Sequence, residues 1–463
     1  MKHSRFLKSA AVVSVGGFLA KGIGAFYRIP LTNLLGGYGM GLYQMAYPLF
    51  CVLLTFSSAG IPSAFSRIIA REDASSRGHE RTVSSAFRLF FLIGLCGTLI
   101  MLLLAPQMSA LQGKAGLKRC YLALAPSVLL VSLIAVFRGY FQGKNDMVPT
   151  AVSEIVEQLF KVLPGLYFAQ KFADDPALAV SCALAAVSFS ELAALGYLVL
   201  RYRREAHAPS PFRGVSSEGV LYSALPVMAA ASLLPLSQMA DSVIIVRFLS
   251  RYTERAVALY GLYSGGALSL VNLPVGVCYG LAAAVVPAVS EVFAKGKEQE
   301  GRERAMYALA ITLMISAPCA AGLYFFAPLA VRILYASMSA GDAETLVSLV
   351  RLMSVSAAFL ACTQTLAACL TGMGKAKYAA LSMLVAVACK LALQPFLLSR
   401  PSLSVYGAAI AANACYLIAF SLDLFYTVRR KRKGAKGYDH HCQSGSGEKR
   451  LDGARAGGGA RCG

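Results

Sequence analysis

Residues 85–106 read SAFRLFFLIGLCGTLIMLLLAP, an almost continuous apolar run in which Arg88 is the one charged residue. A run of about 20 apolar residues is long enough to cross the hydrocarbon core of a bilayer as a helix. Similar runs fill most of the 463-residue chain, which is 57% hydrophobic and 14% charged, with a mean hydropathy of +0.60. This composition excludes a water-soluble globular protein and predicts an integral membrane protein.

The apolar runs predict about 12 transmembrane helices and thus an all-α membrane protein. Lipid offers no hydrogen-bond partner to the backbone, so each run must be helical, and the runs are too long and too continuously apolar for barrel strands. The first six predicted spans are 8–31, 38–64, 85–106, 120–140, 147–171 and 177–200. The second six are 219–247, 258–289, 305–331, 346–370, 376–398 and 406–428.

The second half of the chain repeats the order of features found in the first half. Gly41-Leu42-Tyr43 lies in the second span of the first half, and Gly261-Leu262-Tyr263 lies in the corresponding span of the second half. Six spans per half keep the same sidedness, which predicts two parallel repeats around an axis along the membrane normal. Two such six-helix lobes form a V around a central cavity, an arrangement that favours a transporter over a channel or a receptor.

The distribution of charge predicts the domain limits and the topology. We predict an N-terminal lobe at 1–204, a cytoplasmic linker at 205–218, a C-terminal lobe at 219–430 and a disordered, basic cytoplasmic tail at 431–463. Lys and Arg are concentrated at the N-terminus, in the loops after even-numbered spans and in the tail, so both termini are predicted to be cytoplasmic. The net charge of +21 then reflects topology and anionic lipid, and no nucleic-acid partner is expected.

Two local patterns in the sequence allow an alternative interpretation. The basic N-terminus followed by an apolar run has the outline of a signal peptide, but the run continues past Lys21 to Arg28 without a clear cleavage site, which favours a first span. Most of the 12 cysteines lie inside the spans and are interpreted as packing residues. Cys442 beside His440 and His441 is a weak metal pattern, so no metal site is predicted.

Ionisable residues inside the spans are costly in the bilayer, and each is therefore a functional candidate. Counting from the predicted interfaces, the deepest are Lys21, Glu157, Lys161, Glu191 and Lys390. Those near span ends, where a side chain can reach water, are Arg28, Asp241, Arg351 and Asp423. The carboxylates that could carry a coupling ion are Glu157, Glu191 and Asp241, and the sequence does not choose among them.

Span one carries two cations on one helical face, because Gly17, Lys21, Gly24 and Arg28 recur at helical spacing. Cations beside glycines leave room for a bulky anion such as a pyrophosphate-linked lipid carrier. The alternative is close helix packing on the glycines, with Lys21 bonded to a carboxylate of a neighbouring helix.

Equivalent lysines occur in spans five and eleven. Lys161 follows Glu157 by four residues, so an internal ion pair is an open alternative to ligand binding. Lys390 has no such helical partner and must face water, a ligand or a carboxylate on another helix. If Lys161 and Lys390 face each other across the lobes, they form a phosphate clamp. The predicted substrate-binding residues are Lys21, Arg28, Lys161 and Lys390.

Enzyme signatures such as a Walker A sequence, a zinc-ligand pair on a helix or a nucleophile elbow do not occur in the sequence. The chain is therefore predicted not to be an enzyme and to need no cofactor. Transport would be driven by an H⁺ or Na⁺ gradient, by the membrane potential or by consumption of the transported product.

Three stretches closely resemble the stage V sporulation protein B family. They are residues 28–44, RIPLTNLLGGYGMGLYQ; residues 137–143, FRGYFQG; and residues 286–288, VPA. The resemblance implies membership of the multidrug, oligosaccharidyl-lipid and polysaccharide exporter superfamily, whose members flip lipid-linked sugars or extrude drugs. It also implies a bacterial plasma-membrane protein.

The lipid II flippases are more distant members of this superfamily. Their first helix carries two arginines in the cavity, to which Lys21 and Arg28 correspond here. Two further cavity cations of those proteins fall at Val52 and Ser269 in this chain. This departure argues against lipid II itself and leaves other lipid-linked glycans as cargo.

The predicted function is a flippase that moves an undecaprenyl-pyrophosphate-linked glycan, a precursor of peptidoglycan or another cell-surface polysaccharide, from the inner to the outer leaflet. One alternative is a drug/cation antiporter of the same superfamily, whose cavity should be net negative. Another is a non-transporting scaffold for wall synthesis, which has no need of buried charge. The expected partners are the lipid-linked glycan, membrane lipids and cell-wall synthesis enzymes, with a role in sporulation implied by the resemblance.

Overall fold

The computed structural model describes residues 2–58, 62, 65, 66, 69, 80–114, 116–144, 146–205 and 217–429. The described side chains exclude those of residues 2–15, 17, 18, 21, 25, 58, 80, 81, 217–230, 277, 279–284, 287 and 288. Within the described residues the regular secondary structure is helical, without a strand. The prediction of an all-α fold is confirmed.

The helices follow the predicted spans closely in both halves. The first half contains α1 Lys2–Ser58, α2 Glu80–Leu111, α3 Leu117–Gly143, α4 Val148–Lys171 and α5 Pro176–Arg203. The second half contains α6 Ser217–Leu249, α7 Ala256–Gly261, the π-helical turn Leu262–Ala267, α8 Leu268–Ala294, α9 Glu298–Phe325, α10 Ala327–Leu334, α11 Ala340–Gly372, α12 Ala376–Leu398 and α13 Tyr406–Val428.

Helix α1 contains the first two predicted spans, separated by a break at Gly36. The backbone of Gly36 has φ 63° and ψ −177°, a conformation open essentially to glycine alone. The helix therefore changes direction at this residue, and the predicted spans 8–31 and 38–64 lie on its two sides.

Ten helices of the described residues are long and apolar enough to cross a membrane by composition alone. This number counts Gly22–Ser57 as one span, although it contains the break at Gly36. It also omits α4, a 24-residue helix that carries Glu154, Glu157 and Lys161. Dividing α1 at its break and adding α4 agrees with the predicted count of about 12.

The predicted span 305–331 extends too far at its C-terminal end. Helix α9 ends at Phe325, and Pro328 lies in the first turn of the short α10. Proline lacks a backbone N–H and clashes with the preceding helical turn, so it is tolerated at a helix start and ends a longer helix. Hydropathy did not reveal this boundary because both sides of it are apolar.

The ends of α5 show why the chain turns where it does. Asp175 caps its first turn by accepting hydrogen bonds from the backbone N–H of Ala177 and Leu178, at 3.0 and 3.2 Å. Just after the last turn, Glu205 accepts from Lys144 Nζ at 2.8 Å and from the Tyr140 hydroxyl at 2.9 Å. Burial would raise the pKa of Glu205, but these hydrogen bonds lower it overall. This network ties α5 to the end of α3.

The two halves meet mainly through α1, which packs against α6, α7 and the π-helical turn. A Cβ atom added to Gly261 would lie 2.1 Å from the Gly37 carbonyl oxygen and 2.5 Å from the Gly41 nitrogen. Gly41 and Gly261 are the equivalent glycines of the two repeats. Equivalent residues of parallel repeats meet at the axis between them, so this contact agrees with the predicted repeat. Gln44 Nε2 adds a hydrogen bond of 2.9 Å to the Ser264 carbonyl oxygen.

We expect Gly261→Ala to open this contact between the halves, because the added methyl group has no space in the closed arrangement. Overpacking costs about 1–3 kcal/mol, which lowers the closed-to-open ratio about fivefold or more. The measurement is disulfide formation between Asn33→Cys and Ser337→Cys, whose native side chains lie 3.1 Å apart from Oδ1 to Oγ across the halves. Gly322→Ala is the matched control, since its added Cβ meets nothing within 4 Å. Equal cross-linking in both variants would contradict the expectation.

The predicted lobe limits and orientation stay predictions. Residues Met1–Val428 form one compact unit, whereas most of the linker and all of the tail from 431 lie outside the described residues. On the predicted topology, Ala173 is extracellular and Lys297 cytoplasmic, and both are exposed.

Cysteine placed at either position in a cysteine-free variant tests the topology with an impermeant thiol reagent. In intact cells Ala173→Cys should react and Lys297→Cys should not, because both predicted termini are cytoplasmic. Permeabilised cells, in which both should react, provide the control. Labelling of Lys297→Cys from outside intact cells would reverse the orientation.

Candidate functional site

A charged cluster lies inside the first half, where α3, α4 and α5 converge with α1. Arg138 of α3 donates to Glu157 of α4, with Nη2 and Oε2 3.1 Å apart, and its Nε donates to Ser153 Oγ at 3.0 Å. Arg138 lies near the end of the predicted span 120–140, where a basic cytoplasmic loop was expected to begin. The structure corrects this boundary, because α3 continues to Gly143 and Arg138 lies within the helix bundle.

The possible ion pair between Glu157 and Lys161 does not form. Lys161 Nζ instead donates to Gln158 Oε1 at 2.5 Å and lies 5.8 Å from the centre of the Tyr27 ring. The Glu157 carboxylate instead accepts from the guanidinium group of Arg138, which comes from another helix. Lys161, four residues after Glu157, therefore does not pair with this carboxylate.

Lys161 of α4 and Arg28 of α1 are two cations of the first half that lie near each other. Each lies close enough to the other for their charges to interact. Among the described residues, no carboxylate lies within ion-pair distance of either one. Arg28 Nη1 reaches Ser269 Oγ of the second half at 3.3 Å. Position 269 corresponds to a cavity cation of the lipid II flippases. In this chain it is a serine, whose hydroxyl faces Arg28.

The side chain of Lys21 lies outside the described residues, and its predicted binding role stays a prediction. Its neighbour Gly24 is close to α4, since an added Cβ would lie 3.1 Å from Gln158 Oε1. The face of α1 that carries Gly24 and Arg28 is therefore directed towards Gln158 and Lys161.

Glu191 of α5 lies beside this cluster and is only 2% exposed. Its Oε2 atom has no hydrogen-bond partner within the part of the chain that the structure describes. Glu157, Arg138 and Lys161 are all near enough to interact with it electrostatically. The prediction that Glu191 lies deep agrees with this burial.

A second charged cluster lies inside the second half. Lys390 Nζ of α12 lies 2.7 Å from Asp241 Oδ2 of α6 and 2.6 Å from Ser237 Oγ. Gln394 Nε2 donates to the other Asp241 oxygen at 2.8 Å. The sequence placed Asp241 near a span end, where it would reach water. The structure corrects this, because Asp241 is 6% exposed and paired.

The pair lines a small cavity of about 30 Å³, which has room for one or two water molecules. Tyr260 and Ser264 form part of its wall. Both residues also contact Gln44 of the first half. The Tyr260 hydroxyl donates to the Gln44 backbone carbonyl oxygen, and the Gln44 side-chain amide donates to the Ser264 backbone carbonyl oxygen. The cavity therefore lies next to the contact between the halves.

The structure places the four predicted binding residues in different surroundings. It brings Arg28 and Lys161 together in the first half and gives Lys390 a carboxylate partner in the second half. Lys161 and Lys390 thus belong to separate clusters, and the predicted clamp between them is not formed in this conformation. Asp423, predicted near an end, is 1% exposed. Arg351 is exposed, as its predicted position suggested.

Comparison with known proteins identifies the family. The sequence profile described as polysaccharide biosynthesis protein matches residues 6–293, and the MatE profile matches residues 226–396. The chain belongs to the polysaccharide biosynthesis protein family. Stage V sporulation protein B of Bacillus subtilis is 28% identical over 439 residues, covering 89% of this chain and 81% of that protein. The lipid II flippase MurJ of the same organism is 24% identical, covering 92% and 83%.

Two solved structures show the same fold. An inward-facing multidrug resistance MATE transporter matches with a TM-score of 0.71 at 15% identity, covering 88% of this chain and 93% of that chain. The lipid II flippase MurJ in its inward closed conformation matches with a TM-score of 0.71 at 16% identity, covering 90% and 87%. The fold is the V-shaped, two-repeat transporter fold. The protein is a multi-pass membrane protein of the transporter and flippase class, whose family and fold are not those of enzymes.

Proposed function

We propose that this protein is a flippase that carries an undecaprenyl-pyrophosphate-linked glycan from the inner to the outer leaflet by alternating access. The glycan would be a precursor of peptidoglycan or of another cell-surface polysaccharide. The observation that carries the proposal is the pair of neighbouring cations Arg28 and Lys161, neither of which has a described carboxylate within ion-pair distance, although Glu157 and Glu191 lie near enough to Lys161 to interact with its charge.

Two neighbouring cations without a directly paired carboxylate can accept the negative charge of a pyrophosphate. Burying like charges side by side in a membrane protein is costly, and an anionic ligand removes that cost. Arginine offers a planar fork of donors to phosphate oxygens, and lysine offers a compact point charge. Arg28 lies where the two halves meet, through its contact with Ser269, so a bound pyrophosphate would touch both halves.

The second half contributes differently to the proposed site. Asp241 neutralises Lys390 in this conformation, so Lys390 is not available to an anion here. We therefore assign the pyrophosphate to the first half. Lys390 keeps its predicted binding role for a state in which Asp241 has moved away.

The contact between the halves at Gly41 and Gly261 supports alternating access. Parallel repeats that touch at one end leave the other end free to separate, and exchanging these two arrangements moves a bound ligand from one side to the other. On the predicted topology, the end at which Gly41 and Gly261 touch is extracellular. The ligand would therefore enter the proposed site from the cytoplasm.

The drug/cation antiporter remains the alternative, because the MatE profile matches part of the chain. A cavity for cationic drugs needs an available carboxylate. Glu157 is held by Arg138, Asp241 is held by Lys390, and Glu191 is only 2% exposed, so none of the three carboxylates is open to a cationic drug in this conformation. The buried charges also argue against a scaffold, which has no use for them. Coupling to an ion gradient and contact with wall-synthesis enzymes are further parts of the proposal.

Reconstitution of the full-length protein in liposomes tests this proposal. We expect it to speed the transfer of an undecaprenyl-pyrophosphate-linked glycan between leaflets, followed by the fraction of glycan open to an impermeant hydrolase. The assay is run with and without an imposed proton gradient and membrane potential. Transfer no faster than in empty liposomes under every condition would contradict the proposal, and uptake of a cationic dye instead would favour the antiporter.

A further inference from the structure

The structure distinguishes among the three carboxylates that the sequence left as candidates for ion coupling. Asp241 is paired with Lys390 at 2.7 Å, and Glu157 is paired with Arg138 at 3.1 Å. Glu191 is 2% exposed, and its Oε2 has no partner among the described residues. Of the three, Glu191 is thus the one without an ion-pair partner among the described residues.

The groups that face Glu191 come from every described helix packed around it. Helix α4 presents Glu157 and Lys161, and α3 presents Arg138 and the hydroxyl of Ser127. Helix α1 presents the Tyr47 hydroxyl. The cations Arg138 and Lys161 are therefore shared between the carboxylates Glu157 and Glu191. Lys161 also belongs to the proposed pyrophosphate site.

This sharing makes the charge of Glu191 depend on what the cations are bound to. An ionised carboxylate at this depth is costly unless a cation reaches it, and a second ionised carboxylate nearby adds repulsion. When a pyrophosphate occupies Arg28 and Lys161, and Arg138 remains on Glu157, no described cation is left for Glu191. When the ligand leaves, Lys161 becomes available to it.

We propose that Glu191 is a proton-binding site that couples ligand binding to protonation, taking up a proton when the anion binds at Arg28 and Lys161 and releasing it when the anion leaves. This inference rests on the proposed function. Because the coupling between two ligands is reciprocal, a proton on Glu191 must strengthen anion binding as much as the anion strengthens proton binding.

Infrared difference spectroscopy of the purified full-length protein tests the proton itself, without any ligand. Added acid should produce the carbonyl stretching band of a protonated carboxyl group in wild type, and this part of the band should be missing in Glu191→Gln. The matched control is Glu344→Gln, which removes an exposed glutamate and should leave the part of the band assigned to Glu191 in place. Gln is similar in shape to protonated Glu, so the variant should fold.

A second variant tests whether the cations control the proton. Glu157→Gln releases Arg138, which can then turn to Glu191 and stabilise its charged form. Glu191 should then lose its proton at a lower pH than in wild type. A Glu191 beyond the reach of Arg138 and Glu157 would titrate at the same pH in both proteins, which would contradict control of the proton by these charges.

Calorimetric titration with farnesyl pyrophosphate in two buffers of different ionisation enthalpy measures the coupling. We expect uptake of about one proton per ligand by wild type and none by Glu191→Gln. The affinity of wild type should rise about tenfold per unit fall in pH over the range in which Glu191 titrates, and that of the variant should not.

The outcomes separate the two proposals. Farnesyl pyrophosphate binding without proton uptake, equal in wild type and Glu191→Gln, would overturn the proton site and leave the proposed function standing. A missing infrared difference between these two proteins would overturn the proton site regardless of the ligand. Lack of binding to wild type at any pH would contradict the proposed function and with it the coupling.

Discussion

Replacing Lys161 with Gln should strongly reduce glycan flipping while leaving the protein folded and inserted. A hydrogen bond to a charged group contributes about 1.5–3 kcal/mol, so the loss should be about 10- to 100-fold. Folding should be spared, because no carboxylate of the described chain is paired with the half-buried Lys161 and removal of an unpaired, partly desolvated charge relieves a desolvation cost. Arg28→Gln should have the same effect for the same reason.

Arg351→Gln is the control for these variants, since Arg351 is an exposed cation of α11. It removes one positive charge from the protein without touching the proposed site. Flipping is measured in liposomes for all four proteins at matched protein content. Normal flipping by both Lys161→Gln and Arg28→Gln would eliminate the cationic pair as the pyrophosphate site.

Replacing Lys390 with Gln should reduce the amount of folded protein sharply, in contrast to Lys161→Gln. The change leaves Asp241 buried without its cation, and breaking a buried ion pair in this way costs about 3–5 kcal/mol. The double variant Lys390→Gln with Asp241→Asn should recover most of the loss, because two neutral amides replace the pair. Membrane abundance and the melting temperature of the purified protein measure both effects.

Lys377→Gln, an exposed lysine on the same helix, should leave abundance unchanged. A double variant no more abundant than Lys390→Gln alone would mean that Asp241 is not the partner that Lys390 stabilises. If the double variant folds and still flips the glycan, Lys390 has a structural role and its predicted binding role is wrong.

The sequence predicted the fold well because membrane helices depend on local apolar length. The break at Gly36 separates two predicted spans, and the equivalent glycines Gly41 and Gly261 meet between the repeats, as their positions in the sequence implied. The misplaced end of the span near Pro328 has a local cause as well, since hydropathy does not register a proline inside an apolar run.

The charged clusters were predicted less well because their partners are distant in sequence. Helical spacing suggests that Lys161 pairs with Glu157, but it carries no information about Arg138, which reaches Glu157 from another helix. Asp241 and Lys390 are 149 residues apart, and only the packing of α6 against α12 brings them together. Arg138 lies in the motif FRGYFQG at 137–143, which supported the family resemblance but gave no information about the partner of Arg138.

The most direct test of the central claim is leaflet-resolved detection of lipid-linked glycans in cells depleted of this protein. If the protein is their flippase, glycans should accumulate in the inner leaflet and decline in the outer leaflet. Wild type should restore the distribution and the folded Lys161→Gln variant should not. An unchanged distribution after depletion, or full restoration by Lys161→Gln, would contradict the account.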